Sequence, residues 1–191
     1  MAHKFDPSRK ELLDSPDRRR WQDPEVILET FGIDRGMVIV DIGCGTGYFA
    51  RPAARRVGPG GGRVYAVDMQ EEMLWALQSR LLKEVVENVL PVLSLESGIP
   101  LPASCADAAL LMNALHELAG DATLEEIRRI LRPKGFLAVV DWKKEPMEQG
   151  PPLEHRLSRE EAEERLKLNS FLPEEVEVGP FHYGLKAFKG R

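Results

Sequence analysis

An α/β architecture, built on a doubly wound and mostly parallel sheet with helices on both faces, is the expectation for this chain of 191 residues. Short apolar runs that are continuous instead of alternating mark strands buried on both faces. Such runs alternate five times with segments of helical periodicity, the order that parallel strands with crossover helices require. Two more strand candidates near the carboxy terminus, joined at Gly179-Pro180, would close a seven-stranded sheet with an antiparallel hairpin.

Taken in order, QDPEVILETFG (22–32) predicts a short helix with Asp23 as N-cap, Pro24 in its first turn and Gly32 as its stop. MVIVDI (37–42) is a buried strand, and GYFARPAARRVG (47–58) a helix whose early Pro52 is tolerated. After the GPGGG turn, RVYAVD (63–68) is the second strand and EEMLWALQSRLLKEVV (71–86) a helix burying Met73, Leu74, Leu77, Leu81 and Leu82. Trp75 reads as core or half-buried surface, and Met112 as core. VLPVLSL (89–95), broken by Pro91, is the third strand and CADAALLMN (105–113) the fourth. TLEEIRRIL opens with Thr123 and Glu126 spaced as a capping box, RPKG turns the chain, and FLAVVDW (136–142) is the fifth strand. Ser158 and Glu161 form a second capping box, and EEVEVGP and FHYGLKAFKG supply the closing hairpin.

Length and composition fit one domain spanning residues 1–191, with 1–22 as an N-terminal arm or lid. A net charge of −5 argues against a nucleic-acid partner. The clusters RRRW (18–21) and RPAARR (51–56) read as solvated helix faces. Cys44 and Cys105 have no ligand or disulfide spacing, so neither a metal nor a disulfide framework is expected. No apolar run approaches the ~18 residues of a membrane span, and no leader is visible, so a cytoplasmic protein is expected.

The stretch VIVDIGCGTG (38–47) carries the chemistry. Gly43, Gly45 and Gly47, around Cys44, sit between a buried strand and a helix, where a missing Cβ lets a ligand approach the backbone. The dinucleotide fingerprint G-x-G-x-x-G fails at Tyr48, and no Gly-Lys-Ser/Thr of a phosphate loop follows. Asp41, just ahead of the glycines, would repel a pyrophosphate and suits a ligand with an ammonium group. Asp68 ends the second strand where an acid accepts ribose hydroxyls, and Met69 offers an apolar surface to a base.

These residues resemble the class I S-adenosylmethionine-dependent methyltransferases. VIVDIGCGTG and VYAVD look like that family's first two motifs, and PLPASCADAALLMNALHEL and LRPKGFLAVVDW like its later ones, over residues 24 to 142. Within it the chain is similar to the type 11, ubiquinone/menaquinone-biosynthesis kind. It is also similar to a small prokaryotic group with HKFDP at the start and DWKK followed by GPP. The resemblance implies a Rossmann-like fold, S-adenosylmethionine as cofactor, and a small-molecule methyl acceptor. It also implies Asp41 near the cofactor's amino group, Gly43 and Gly45 under its methionine, Asp68 on the ribose and Met69 on the adenine. SLES (94–97) lacks the family's usual Gly-Asp, so Leu95 or Glu96 would reach the adenine, while Asn113 would face the sulfonium end.

His116, Glu117 and Asp141 follow the fourth and fifth strands and are the candidate bases; His116 and Asp141 are carried as the catalytic candidates. Each has a structural alternative. His116 could pack the helix entry, and Asp141 could pair with Lys143 or Lys144. His155 and Arg156 read as surface-loop residues more readily than as a closure over a substrate, and Trp21 as an anchor of the first helix more readily than a lid. Cys44 reads as a small filler. Three functions remain: a methyltransferase, a non-catalytic S-adenosylmethionine-binding module, and a nicotinamide oxidoreductase disfavoured by Tyr48. A homo-oligomer stays open.

Overall fold

The computed structural model describes residues 5–190. The first part of the HKFDP stretch therefore lies outside the described residues. Seven strands form one sheet in the order β3-β2-β1-β4-β5-β7-β6. β1 (Val38–Ile42), β2 (Arg63–Asp68), β3 (Val89–Leu93), β4 (Ala106–Met112) and β5 (Leu131–Trp142) run parallel. β7 (His182–Lys189) lies antiparallel to β5 and to β6 (Phe171–Val176). The expected architecture is present. The hairpin's first strand begins at Phe171, earlier than the Glu174 expected, because Phe171 is buried against the sheet and pairs with Lys189.

Both edges carry a proline: Pro91 in β3 and Pro173 in β6. A missing N–H costs least where no further strand is waiting, and it blunts the edge against pairing with another chain. Pro91, which interrupted the strand pattern, is thereby accounted for.

Helices cover both faces. α2 (Pro24–Thr30), α3 (Ala50–Val57) and α4 (Glu71–Glu84) pack Leu28, Ala53, Val57 and Leu77 on one side against Ile39, Val64 and Leu110. On the other, α5 (Ala122–Ile130) and α6 (Arg159–Leu168) pack Leu124, Ile127 and Leu166 against Val40, Leu111 and Val139. Each such fully buried Val, Leu or Ile side chain contributes roughly 1.5–3 kcal/mol over exposure. The α4 pattern holds for Met73, Leu74, Leu77 and Leu81, while Leu82 and Trp75 point to solvent, Trp75 at 61% exposure.

Caps decide where the helices begin. Asp23 caps α2 by accepting the Glu25 amide, and Ser158 with Glu161 forms the reciprocal box of α6. The box expected at Thr123 and Glu126 does not form. α5 starts two residues earlier, with Asp121 instead of Thr123 at the N-cap position, so both side chains lie inside the helix and serve another purpose. Thr123 donates to the Glu96 carbonyl and Glu126 accepts the Ile99 amide, tying the 96–99 turn to α5.

Residues 5–22 fold back over the carboxyl edge of the sheet. A 3-10 turn (Pro7–Asp14) leads to α1 (Arg18–Trp21). Asp14 anchors this arm through Arg51 of α3 at 3.0 Å and Arg80 of α4 at 2.7 Å. Gln70 donates to the Phe5 carbonyl, and the Phe5 amide donates to Glu117.

Candidate functional site

The strand order reverses between β1 and β4, which splays the following loops apart and leaves a crevice at their carboxyl ends. There the arm roofs a cavity of about 660 Å³, within the usual range for small-molecule sites. Phe5, Leu13, Arg18 and Trp21 line it from above.

Its floor is the turn after β1. The Gly43 and Cys44 amides both donate to the Val67 carbonyl, and the Gly45 amide donates to Asp68 Oδ2 at 2.8 Å. This stitches the ends of β1 and β2 together. Gly45 has φ +52, and a Cβ there would stand 3.2 Å from Leu13 of the arm. Gly47 is set back from the cavity. Its φ is +82, and a Cβ would meet Leu77 Cδ1 at 2.4 Å, so this glycine serves the approach of α4. The helix accordingly starts at Ala50 instead of at the turn itself. Cys44 lines the cavity as a filler, its thiol pushed up well above its ordinary range by burial and by Asp41 and Asp68.

Asp41 is 2% exposed and lines the cavity. Its Oδ2 has no hydrogen-bond partner among the described residues. Burial first, and then the charge of Asp68, push its pKa up to about 8. Asp68 is raised by burial, though the Gln70, Gly45 and Met69 amides favour its charged form. Asp68 Oδ2 accepts the Gly45 amide and Oδ1 the Gln70 amide.

Met69, Leu95 and Glu96 line the far end. The Leu95 amide is engaged by the Gly98 carbonyl, and Glu96 Oε1 accepts the Ala119 amide at 2.7 Å. Asn113, in the left-handed region at φ +58, exchanges two side-chain hydrogen bonds with Gln22, at 2.9 and 3.1 Å. The Gln22 carbonyl also accepts the Tyr48 hydroxyl, so the arm is latched to both β1 and β4 sides.

His116 and Glu117 line the cavity; Asp141 lies behind them. Asp141 Oδ1 meets His116 Nδ1 at 2.8 Å, and Oδ2 accepts the His116 amide at 3.0 Å. Glu117 Oε1 stands 3.8 Å from His116 Nε2. Burial alone would lower the His116 pKa, but Asp141 and Glu117 outweigh it and raise it above the ordinary value of 6.5. Asp141 thus pairs with His116, not with Lys143 or Lys144.

Several side chains differ from their sequence reading. Arg18, expected on a solvated face with Arg19 and Arg20, is 7% exposed and stacks its guanidinium 4.0 Å over the Tyr48 ring. Burial lowers its pKa to about 10. Arg156, expected in a surface loop, is buried and donates to the carbonyls of Lys143, Glu145, Gln149 and Pro151, fixing a loop whose Gln149–Pro152 stretch lines the cavity. Trp21 is both anchor and roof. It stacks on His182 at 5.6 Å and touches Trp142 at 5.3 Å, yet lines the cavity. His182 had no signal in the sequence; burial holds it neutral, its pKa lowered to about 3.

Among the described residues no cluster of ligating side chains could hold a metal, and no helix is long and apolar enough to cross a membrane. A Methyltransferase domain family model matches residues 39–135. A SAM-dependent methyltransferase from Aquifex aeolicus is 38% identical, covers 96% of this chain and 98% of its own, and superposes with a TM-score of 0.92. Ubiquinone/menaquinone biosynthesis C-methyltransferase UbiE of Chromobacterium violaceum is 34% identical over 75% of this chain, and that of Laribacter hongkongensis 33% over the same share. The chain spans 57% of the length of these two relatives.

Proposed function

We propose, for a chain that belongs to the S-adenosylmethionine-dependent methyltransferases, that this cavity binds S-adenosylmethionine and directs its methyl group to a small-molecule acceptor. The observation that carries the reading is the buried Asp41 oxygen without a partner among the described residues, set beneath a bare glycine turn. A buried carboxylate is costly unless something positive meets it, and the ammonium of a methionine does so.

The remaining residues fit the same ligand. Asp68 would accept the ribose hydroxyls, with Gly43, Cys44 and Gly45 close under the methionine. Met69, Leu95 and Glu96 would border the adenine, with the Glu96 carboxylate the polar contact, since the Leu95 amide is spent within its own turn. Asn113 would face the sulfonium. Gly47 supports the turn from behind.

When bound, the cofactor supplies an electrophilic methyl group; the chain supplies alignment and a base. His116 donates its Nδ1 proton to Asp141, which leaves Nε2 as the accepting nitrogen on the cavity side. The acceptor atom is an O, N or C nucleophile; Nε2 takes the proton that it loses, and Asp141 is the positioning residue that holds the ring and stabilises the imidazolium. Phe5, Trp21 and the 149–152 loop close the site against water. The sheet and both helix layers run from residue 24 to 189, supporting one domain with the arm as its lid. The reading includes a cytoplasmic location and no nucleic-acid partner, in keeping with the net charge of −5.

The test is calorimetric titration with S-adenosylhomocysteine, followed by transfer of a labelled methyl group into a metabolite extract. Binding with transfer is expected. Binding without transfer into any extract would point to a cofactor-binding module, and no binding at all would end both.

A further inference from the structure

We propose that the outer face of α4 is a dimer interface, on which a second copy of this chain lays its own α4 antiparallel across a two-fold axis. No step in the cavity depends on it.

Helix α4 keeps its charges in two sets. On the flanks that face the rest of the chain, Arg80 pairs with Asp14, and Glu84 with Arg51 and Arg55. On the outer face Glu72, in the first turn, and Lys83, in the last, are exposed and in no ion pair among the described residues. Between them Trp75 and Leu82 project into solvent about two turns apart, Leu82 at 76% exposure. Val85 is a second, separate sign. It ends α4 in the left-handed region, at φ +55, where glycine or asparagine is the usual residue. A β-branched side chain is strained there, and this one is 78% exposed, so the single chain gains nothing from burying it. A strained valine and an outward tryptophan on one face are both explained when that face is covered.

The pattern of the face specifies its cover. Trp75 and Leu82 stand equally far from the midpoint between Gln78 and Ser79. A two-fold axis through that point sets Trp75 of each copy on Leu82 of the other, and brings each Glu72 within reach of the opposite Lys83. Unlike charges then flank an apolar centre at both ends. A parallel pair of helices would instead set Glu72 against Glu72 and Lys83 against Lys83.

Addition of a strand is disfavoured at the same place. On β3, the sheet edge beside α4, Asn88 and Ser94 bond to β2, so by alternation Pro91 faces the open edge, where it has no N–H to give. Leu93, which shares a strand face with the buried Val89, is 48% exposed and widens the apolar surface. The occupant is therefore a helix with its own apolar stripe, which a second copy supplies.

Sedimentation velocity on the full chain at low salt tests this. One helix and one sheet edge make a small interface, so a dimer with a dissociation constant of about 1–50 µM is expected. Trp75→Glu breaks no buried contact of the single chain and should give a monomer whose Tm moves by less than about 2 °C, with Leu82→Lys as a second probe of the same face. Glu72→Lys and Lys83→Glu should each weaken the dimer at least about tenfold, because both facing pairs become like-charged. An equimolar mixture of these two variants should associate again as a heterodimer, since every facing pair is then unlike. A chain that stays monomeric up to about 200 µM overturns the proposal and leaves the face to some other partner. A dimer that survives both Trp75→Glu and Leu82→Lys overturns it too, as it would be built on another surface. Charge variants without effect, or a mixture that does not recover the dimer, overturn the antiparallel pairing.

Discussion

His116 Nδ1 lies 2.8 Å from Asp141 Oδ1, and the second oxygen of that carboxylate receives the His116 backbone amide at 3.0 Å. Ring and main chain of one residue are therefore set by one buried acid. With Glu117 also near, the imidazole is expected to titrate above 6.5, and Asp141→Asn to move that titration down. NMR titration of the His116 ring reads this without an acceptor. With an acceptor in hand, His116→Ala should lower kcat by about 10²–10⁴-fold while S-adenosylhomocysteine affinity stays within about twofold. Full activity in that variant would return His116 to a packing role.

The same pair makes stability depend on pH. A folded-state pKa above the unfolded value means the imidazolium–carboxylate contribution is fully present below about 6.5 and fades as pH rises through the higher folded value. Asp141→Asn should then lower Tm most near pH 5 to 6 and least near pH 9. Thermal melts across that window check the sign, and a deficit that grows with pH would contradict it.

Asp41 carries the opposite lesson, a charge kept for the ligand at the expense of the fold. Its folded pKa, raised to about 8 against 3.8, means the ligand-free protein loses stability as pH rises from about 4 through 8. Asp41→Asn should raise the ligand-free Tm at pH 8 and weaken S-adenosylhomocysteine by about 10- to 100-fold, as loss of a charged acceptor implies. Binding to the intact protein at pH 7 should release protons, visible as a dependence of the apparent enthalpy on buffer ionisation heat.

Arg156 holds four carbonyls between Lys143 and Pro151. Arg156→Ala leaves them to water, so amides of the 143–152 loop should exchange at least about tenfold faster while those of β4 do not change. Uniform acceleration would mean that Arg156 supports the whole fold instead.

The fold was legible because it depends on patterns that repeat. Runs such as VIVDI and FLAVVDW mark buried strands whatever their neighbours, and the acids at the ends of β1 and β2 fall at the sheet's carboxyl edge by topology alone. Arg18 was not legible. RRRW has the same character at each arginine, and only the return of the arm over Tyr48 separates the buried Arg18 from the exposed Arg19 and Arg20. Arg156 was hidden for the same reason, since its partners are carbonyls, which leave no trace in residue identity. Thr123 and Glu126 matched a capping pattern that a two-residue shift of the helix start turned into tertiary contacts. Gly47 looked like its neighbours, yet what it must avoid is a leucine thirty residues on.

That contact allows a further test. A methyl group at Gly47 would lie 2.4 Å from Leu77 Cδ1, and φ there is +82. Leu77 is fully buried, so it cannot swing clear into solvent. Overpacking of this kind costs about 1–3 kcal/mol, and the left-handed backbone adds roughly 1–2 kcal/mol for a residue with a Cβ. Leu77→Ala removes the obstacle but leaves a cavity, at about 2–5 kcal/mol. The two losses should not add: Gly47→Ala with Leu77→Ala should be more stable than the sum of the singles by about 1 kcal/mol or more, while the backbone cost of Gly47→Ala persists. Chemical denaturation of the four proteins measures this coupling. Strict additivity would mean that the steric approach of α4 is not what requires glycine at position 47.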